Sequence, residues 1–312
     1  MGSELFVADV SNDGIPRDVR SVVPDASVLM GNDEFRPSVA ISDDGAIGLA
    51  WTNIRGDVYA TWADSLHGPF GSPVRLNQDT VQTAIQGYVR ARFADKGNLH
   101  TVWLDARRAG PDEEEPADLY YRLADGSERE HRLTSDDGTV CGCCRPDLAV
   151  ETDGEMTVAY RAAGTDGYRD VSYLSRSAKG EVTVQRATDP MWKIQGCPVS
   201  GPAIVRNGLI WKDASQGHQR ILSTQGGKLQ IVTAADSTWT PTMSPKRVSQ
   251  GRVFVPGQPV GKIYRRNESS WEHEADVPEW VSSLAATDDM YYLVGAPRRK
   301  LKVEVRAIDP AR

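Results

Sequence analysis

RPSVAISDDGAIGLAW, from Arg36 to Trp51, is the first of three copies of one pattern. YVRARFADKGNLHTVW follows from Tyr88 to Trp103, and RPDLAVETDGEMTVAY from Arg145 to Tyr160. Each copy has a glycine nine residues after its first residue and an aromatic residue six beyond that glycine: Gly45 and Trp51, Gly97 and Trp103, Gly154 and Tyr160. Two short apolar runs with strand-type alternation flank an Asp-Gly or Lys-Gly turn, which predicts a hairpin. A third strand is expected to open at Asp57-Val58-Tyr59, Asp118-Leu119-Tyr120 and Asp170-Val171-Ser172-Tyr173. A period near about 50 residues with three or four strands per unit predicts a β-propeller. Such a fold places its ligand site at the axis, where the innermost strands begin.

No single blade can bury both of its faces, so 312 residues predict one closed all-β ring, a single six-bladed propeller domain. Its blades are expected near 34–77, 86–134, 144–188, 201–235, 236–275 and 276–312. Leu5 to Val10 and Val19 to Val23 read as strands of an N-terminal segment that completes the last blade. The 39% apolar content, with 28 Gly and 18 Pro, fits a loop-rich β protein, and no amphipathic helix is evident. The polar insertion from Ala106 to Ala117 reads as a solvated loop. A net charge of −7 and a pI near 5.4 argue against a nucleic-acid partner. The absence of any long apolar run argues against a membrane span. Met1-Gly2-Ser3 reads as a cloning remnant, ahead of which an export signal is expected to have been removed.

The arrangement resembles the sialidase or neuraminidase-like propellers, the Asp-box (BNR) proteins. Phe35-Arg36-Pro37 is similar to the Phe-Arg-x-Pro motif of the first sialidase blade, whose arginine meets the substrate carboxylate. Arg145-Pro146 repeats the element two blades on. Ser175-Arg176-Ser177-Ala178-Lys179-Gly180 resembles an eroded Asp box, lacking the aspartate and the terminal tryptophan. No stretch matches the tyrosine–glutamate nucleophile pair of sialidases. The likeness spans roughly residues 34 to 235. It implies a sialidase-like fold, a carbohydrate or other carboxylate ligand, and glycoside hydrolase chemistry if the chain is an enzyme. Cys141-Gly142-Cys143-Cys144 together with Trp192-Lys193-Ile194-Gln195-Gly196-Cys197-Pro198 resembles a bacterial subgroup of such propellers.

If the innermost strands start near the axis, Arg36, Tyr88, Arg90 and Arg145 project towards its mouth, with Arg161 and Arg169 on blade three. Guanidinium groups bind carboxylates, sulfates or phosphates through a planar donor fork, so this set predicts an anion pocket. The alternative is that each arginine pairs locally, with Asp147, Asp105 or Asp170, and braces adjacent blades. Asp105 and Asp213 end the second strands of blades two and four. Two carboxylates facing each other across the axis would suit glycoside hydrolysis, although strand-end aspartates are also ordinary turn formers. Asp105 is the candidate acid, and Tyr88 the candidate nucleophile or stacking platform. Both have packing as the competing role.

The repeat brings Cys197 near the Cys141–Cys144 cluster. Three readings stay open for Cys141, Cys143, Cys144 and Cys197: disulfides pinning neighbouring blades, a copper or zinc site on thiolates, or a reactive thiol. The five histidines are scattered, without metal-ligand spacing. Three functions follow. The first is an exported propeller, periplasmic or extracellular, that binds an anionic sugar or other carboxylate in an Arg-lined axial pocket, with glycoside hydrolysis left open. The second is a metal-handling or redox protein working through the cysteines. The third is a protein-interaction scaffold.

Overall fold

The structure, a computed structural model, describes residues 4–10, 16–23, 27, 36–65, 67–80, 86–94, 98–108, 117–135, 140–164, 167–189, 191–242, 244–249, 251–267, 270–278, 281–286, 291–295 and 304–308. Phe35, Gly97, residues 109–116 and Met1-Gly2-Ser3 lie outside the described residues. Every regular element is a strand, and no helix is long and apolar enough to cross a membrane among the described residues. The chain divides into two compact units, Met1–Phe6 with Ser21–Pro198, and Val7–Arg20 with Val199–Arg312.

The N-terminal strands β1 (Leu5–Val10) and β2 (Pro16–Val23) pair with each other in a two-stranded sheet. Three four-stranded antiparallel sheets follow in the first unit. The first runs β3 (Ser38–Ile41), β4 (Ile47–Thr52), β5 (Val58–Ala63), β6 (Val74–Arg75). The second runs β7 (Gln86–Phe93), β8 (Leu99–Asp105), β9 (Asp118–Leu123), β10 (His131–Arg132). The third runs β11 (Asp147–Val150), β12 (Met156–Arg161), β13 (Val171–Arg176), β14 (Val182–Arg186). Each repeat copy is thus the first hairpin of a sheet. Gly45 and Gly154 sit at its turns with φ of +89° and +85°, the left-handed region that costs glycine least.

Burial follows strand order. All six residues of β4 and all seven of β8 are buried. A strand covered on both faces needs a near-continuous apolar run rather than alternation, as Ile47-Gly48-Leu49-Ala50-Trp51 supplies. The outer strand β14 is exposed at all five positions. The first two sheets approach so closely that a Cβ on Gly48 would stand 2.6 Å from Leu99 Cδ1, so any larger residue there would have to displace the Leu99 side chain. Between the second and third sheets, Val102, Leu104, Leu119, Tyr121, Leu148, Val158 and Leu174 form one buried cluster.

Tyr121 is 1% exposed, its hydroxyl lies 3.1 Å from His100 Nδ1, and Arg176 covers its ring at 4.9 Å. Burial pushes its pKa up to about 12, whereas an unfolded tyrosine titrates near about 10. The folded value is the higher one, so the linked stability is intact below about pH 10 and is lost as pH rises towards the folded value. Denaturant midpoints should therefore fall across that window. Tyr121→Phe should flatten the fall; an unchanged alkaline slope in the variant would refute the assignment.

In the second unit, β15 (Ala203–Val205), β16 (Gly208–Asp213), β17 (Arg220–Gln225) and β18 (Lys228–Ala234) form an antiparallel sheet in that order. Beyond it run β19 (Thr240–Pro241), β20 (Lys246–Ser249), β21 (Arg252–Val255), β22 (Gly257–Gln258), β23 (Val260–Arg266) and β24 (Trp271–Pro278). Of these, β20, β21, β23 and β24 make a four-stranded sheet, and β19 pairs with β22. A three-stranded sheet of β25 (Val281–Ala286), β26 (Tyr291–Gly295) and β27 (Glu304–Ile308) ends the described chain. Ile210, Ile221, Trp239, Val253, Val255 and Tyr264 lie in the core of this unit.

Candidate functional site

The lead-ins of β3 and β11 and the bulge of β7 meet at one side chain. Arg145, 3% exposed, donates from Nη2 to the carbonyl of Val89 at 2.8 Å and to that of Pro37 at 3.5 Å. Arg90 on β7 donates from Nε to the carbonyl of Pro146 at 3.1 Å, and the same atom lies 3.3 Å from Asp147. Arg92 lies 3.5 Å from the same carboxylate. The Ala91 N–H donates to Ser38 Oγ at 3.1 Å, so β7 is laced to the lead-ins of both β3 and β11. Arg36, half-buried, directly precedes Pro37. The contacts of Arg90 and Arg145 are those of braces between sheets, and they gather Arg36, Arg90 and Arg145 into one neighbourhood. Guanidinium groups suit this duty because several donors can reach carbonyls on separate strands at once.

Tyr88 lies in the same stretch of β7. It is buried, with φ of +54°, at the bulge where register shifts between Gly87 and Arg90. A bulky residue in the left-handed region costs of order 1–3 kcal/mol, and such strain gathers where a side chain must be re-aimed.

Asp105 ends β8 fully enclosed, 1% exposed. It accepts from Trp103 Nε1 at 3.2 Å, from the Arg107 N–H at 2.9 Å and from the Arg107 guanidinium through two nitrogens. Arg107 also binds Glu130 and lies over the Tyr120 ring at 4.2 Å. Burial works against its charge, but the bonds to Asp105 and Glu130 outweigh it and raise the guanidinium pKa further. Asp213, in the second unit, accepts from Ser215 Oγ at 2.9 Å and from Arg220. Both candidate carboxylates therefore hold the turn after their strand against an arginine.

Arg161 and Arg169 serve the loop that carries Cys197. Arg161, 0% exposed, donates to the carbonyl of Arg169 and covers the Trp192 ring at 5.1 Å. Arg169 donates from Nη1 to the Tyr168 carbonyl at 3.2 Å, and its N–H reaches the Trp192 carbonyl at 2.8 Å. Asp170 accepts from the N–H groups of Met191 at 2.9 Å and Trp192 at 3.0 Å, and the Ile194 N–H bonds Gly167 O at 3.1 Å. Sequence reasoning offered Asp170 as an arginine partner and a strand mark, and Trp192 only as part of the motif around Cys197. The signal available was the aspartate opening each third strand, read as a strand mark rather than as a loop anchor.

The four cysteines come together, as the repeat register implies. Cys143 is disulfide-bonded to Cys197, with Cα atoms 6.7 Å apart. Cys141 Sγ lies 3.2 Å from Cys197 Sγ, 3.3 Å from Cys144 Sγ and 3.7 Å from Cys143 Sγ, and Cys144 Sγ is 3.5 Å from Cys197 Sγ. All four sulfurs lie within 4.8 Å of one another, an arrangement able to hold a metal ion. Cys141 and Cys144 are buried and outside the disulfide; Cys143 and Cys197 are half-buried. A second bond within the cluster, between Cys143 and Cys144, does not occur. Val140, just before the cluster, bridges Ala117 of the second sheet and Ala162 of the third, and the Cys141 N–H donates to the Arg161 carbonyl at 2.9 Å.

At the hairpin end of the third sheet, away from the strand starts, a cleft of about 380 Å³ is lined by Glu151, Glu155, Met156, Arg176, Ser177 and Glu181 among others. It lies over the eroded Asp-box turn.

No family model matches the chain, and no curated protein does. Solved structures do. A lectin of Burkholderia pseudomallei aligns with a TM-score of 0.58 at 11% identity, covering 99% of this chain and 92% of the lectin. A Hadza microbial sialidase aligns at 0.55 and 9% identity, over 94% of this chain and 69% of the sialidase. An α-L-arabinanase of Penicillium chrysogenum aligns at 0.52 and 11% identity, over 92% and 98%. The chain spans 58% of the length of another match, a polysaccharide lyase, at a TM-score of 0.45. At these identities the likeness is one of fold: an all-β architecture of the propeller type.

Proposed function

We propose that the chain is a single six-bladed, sialidase-like propeller that binds an anionic sugar where its first strands begin. The observation that supports this is the convergence of the β3 and β11 lead-ins and the β7 bulge on Arg145, which groups Arg36, Arg90 and Tyr88 around it. A carboxylated sugar suits such a place, since a guanidinium meets a carboxylate through two parallel bonds. Tyr88, buried in the apolar cluster between the second and third sheets, would fix the strained backbone beside them. The reading is binding rather than turnover, because Asp105 and Asp213 are each clamped by an arginine. The lectin, sialidase and arabinanase relatives in fold carry names of glycan-directed proteins, which agrees with this class of ligand. The Cys143–Cys197 bond supports an exported, periplasmic or extracellular setting, where disulfides persist.

Titration calorimetry with N-acetylneuraminic acid, galacturonic acid and neutral galactose tests it. The acidic sugars should bind and galactose should not. Arg36→Ala should weaken binding by about tenfold or more, and Arg36→Lys should restore only part, since lysine lacks the fork. Equal binding of galactose, or an Arg36→Ala chain that binds unchanged, would overturn the reading.

A further inference from the structure

We propose that Cys141, Cys143, Cys144 and Cys197 form a thiolate centre for a closed-shell, thiophilic cation, Zn(II) or Cu(I), and that the Cys143–Cys197 disulfide is its closed, metal-free state. The inference is independent of sugar binding.

Bracing alone does not explain the cluster. Pinning the 191–197 loop to the neighbouring turn takes two cysteines, yet two further sulfurs stand 3.2 and 3.5 Å from Cys197 Sγ in a buried place. Thiolates around a tetrahedral zinc ion, with bonds of about 2.3 Å, lie about 3.8 Å apart. The pairs contributed by Cys141 span 3.2 to 3.7 Å, so these pairs need only a small outward relaxation, while the Cys143 and Cys197 sulfurs must move apart from bonding distance once the disulfide opens.

The frame is independent of that disulfide. Val140 and Cys141 are held to both sheets by backbone bonds, and the 191–194 segment is fixed by Asp170, Arg169 and Gly167. Reduction therefore leaves both halves of the site in place, which a centre assembled by the disulfide alone would not survive. A donor set made only of sulfur selects soft cations over calcium or magnesium. Burial divides the roles. Cys141 and Cys144 form the enclosed floor, while Cys143 and Cys197 face outward, where a reductant arrives.

Opening the site consumes two electrons and two protons. An incoming dithiol attacks the Cys143–Cys197 bond, becomes a disulfide itself, and leaves both cysteines as thiols. Zn(II) then displaces four protons to solvent as four Zn–S bonds form; Cu(I) needs fewer thiolates and displaces correspondingly fewer protons. Oxidation by a disulfide, itself reduced to a dithiol, reforms Cys143–Cys197 and expels the ion.

The test uses the full chain, prepared oxidised, or reduced with a phosphine and kept anaerobic, and titrated separately with Zn(II) and Cu(I) against a chromophoric competitor. The reduced chain should show four reactive thiols, take up one ion, and have those thiols shielded from alkylation. The oxidised chain should show two thiols and bind at least about 100-fold more weakly, having lost half its ligands. Uptake of zinc or of copper alone supports the centre and identifies its ion. Cys197→Ser should bind weakly whether or not oxidant is present; should it fail to fold, mapping the shielded cysteines in the natural chain gives the same answer. A folded, reduced chain that takes up neither ion, equal affinity in both redox states, or a zinc-loaded chain whose shielded cysteines are not the set of four would overturn the proposal.

Discussion

Replacing Trp103 by alanine should destabilise the first unit by about 3–5 kcal/mol, the range for removing a fully enclosed aromatic side chain. Trp103 is 0% exposed and packs with Val89, Ala91, Leu99 and Tyr120 in the cluster shared by the first two sheets. Its ring stacks on Tyr120 at 6.0 Å, and its Nε1–H donates to Asp105 at 3.2 Å. The surrounding strands are fixed by their ladders on both sides, so the space cannot close, and the lost contacts add to the lost transfer term. Chemical denaturation should show a markedly lower midpoint with little change in slope. A loss below about 1 kcal/mol would mean that β8 is not the doubly covered strand described.

Asp105→Ala should cost a comparable amount, about 3–5 kcal/mol, for a different reason. The carboxylate is the innermost partner of Arg107, whose side chain is 12% exposed, and removal leaves that charge with Glu130 and the more distant Asp79, 3.7 Å away. Breaking one half of an enclosed ion pair is expensive because the other half keeps its desolvation penalty. Asp105→Asn should cost less, since the amide still accepts one bond. An acid catalyst would give the opposite signature: a stable Asp105→Ala chain that has lost turnover. Trp103 and Asp105 are directly bonded, so the double variant should be destabilised by less than the sum of the two.

The hairpins were legible because their marks are local. A glycine turn with positive φ and a following run of doubly buried residues set β3–β4 and β11–β12, and the aspartates at 57, 118 and 170 announced β5, β9 and β13. Among the strands that escaped notice are two of the second unit. Lys246–Ser249 and Trp271–Pro278 are rich in charge, and β24 buries only Val277 fully. An outer strand has one covered face at most, and its pattern fades accordingly. The N-terminal strands were legible as strands but not in their pairing, since pairing depends on partners distant in sequence. In the candidate site, the meeting of Cys197 with the cluster followed from the repeat period. What an arginine grips did not. Arg145 reaches backbone carbonyls from two other sheets, and a carbonyl has no signature in sequence.

Val140 is one residue with two neighbours, Ala117 on one side and Ala162 on the other. With Ala117 it exchanges both backbone bonds at 3.0 Å, and Cys141 continues the stitching to Arg161. The two sheets consequently share a seam, and they cannot open by the outer strands of one peeling away while the seam stays closed. Amide exchange at Val140 and Cys141 would report the escape of this whole block, not local fraying. Whatever ion or bond fastens the cysteines acts on that same block, so its binding energy is spread along β9 and β12, far beyond the atoms it touches.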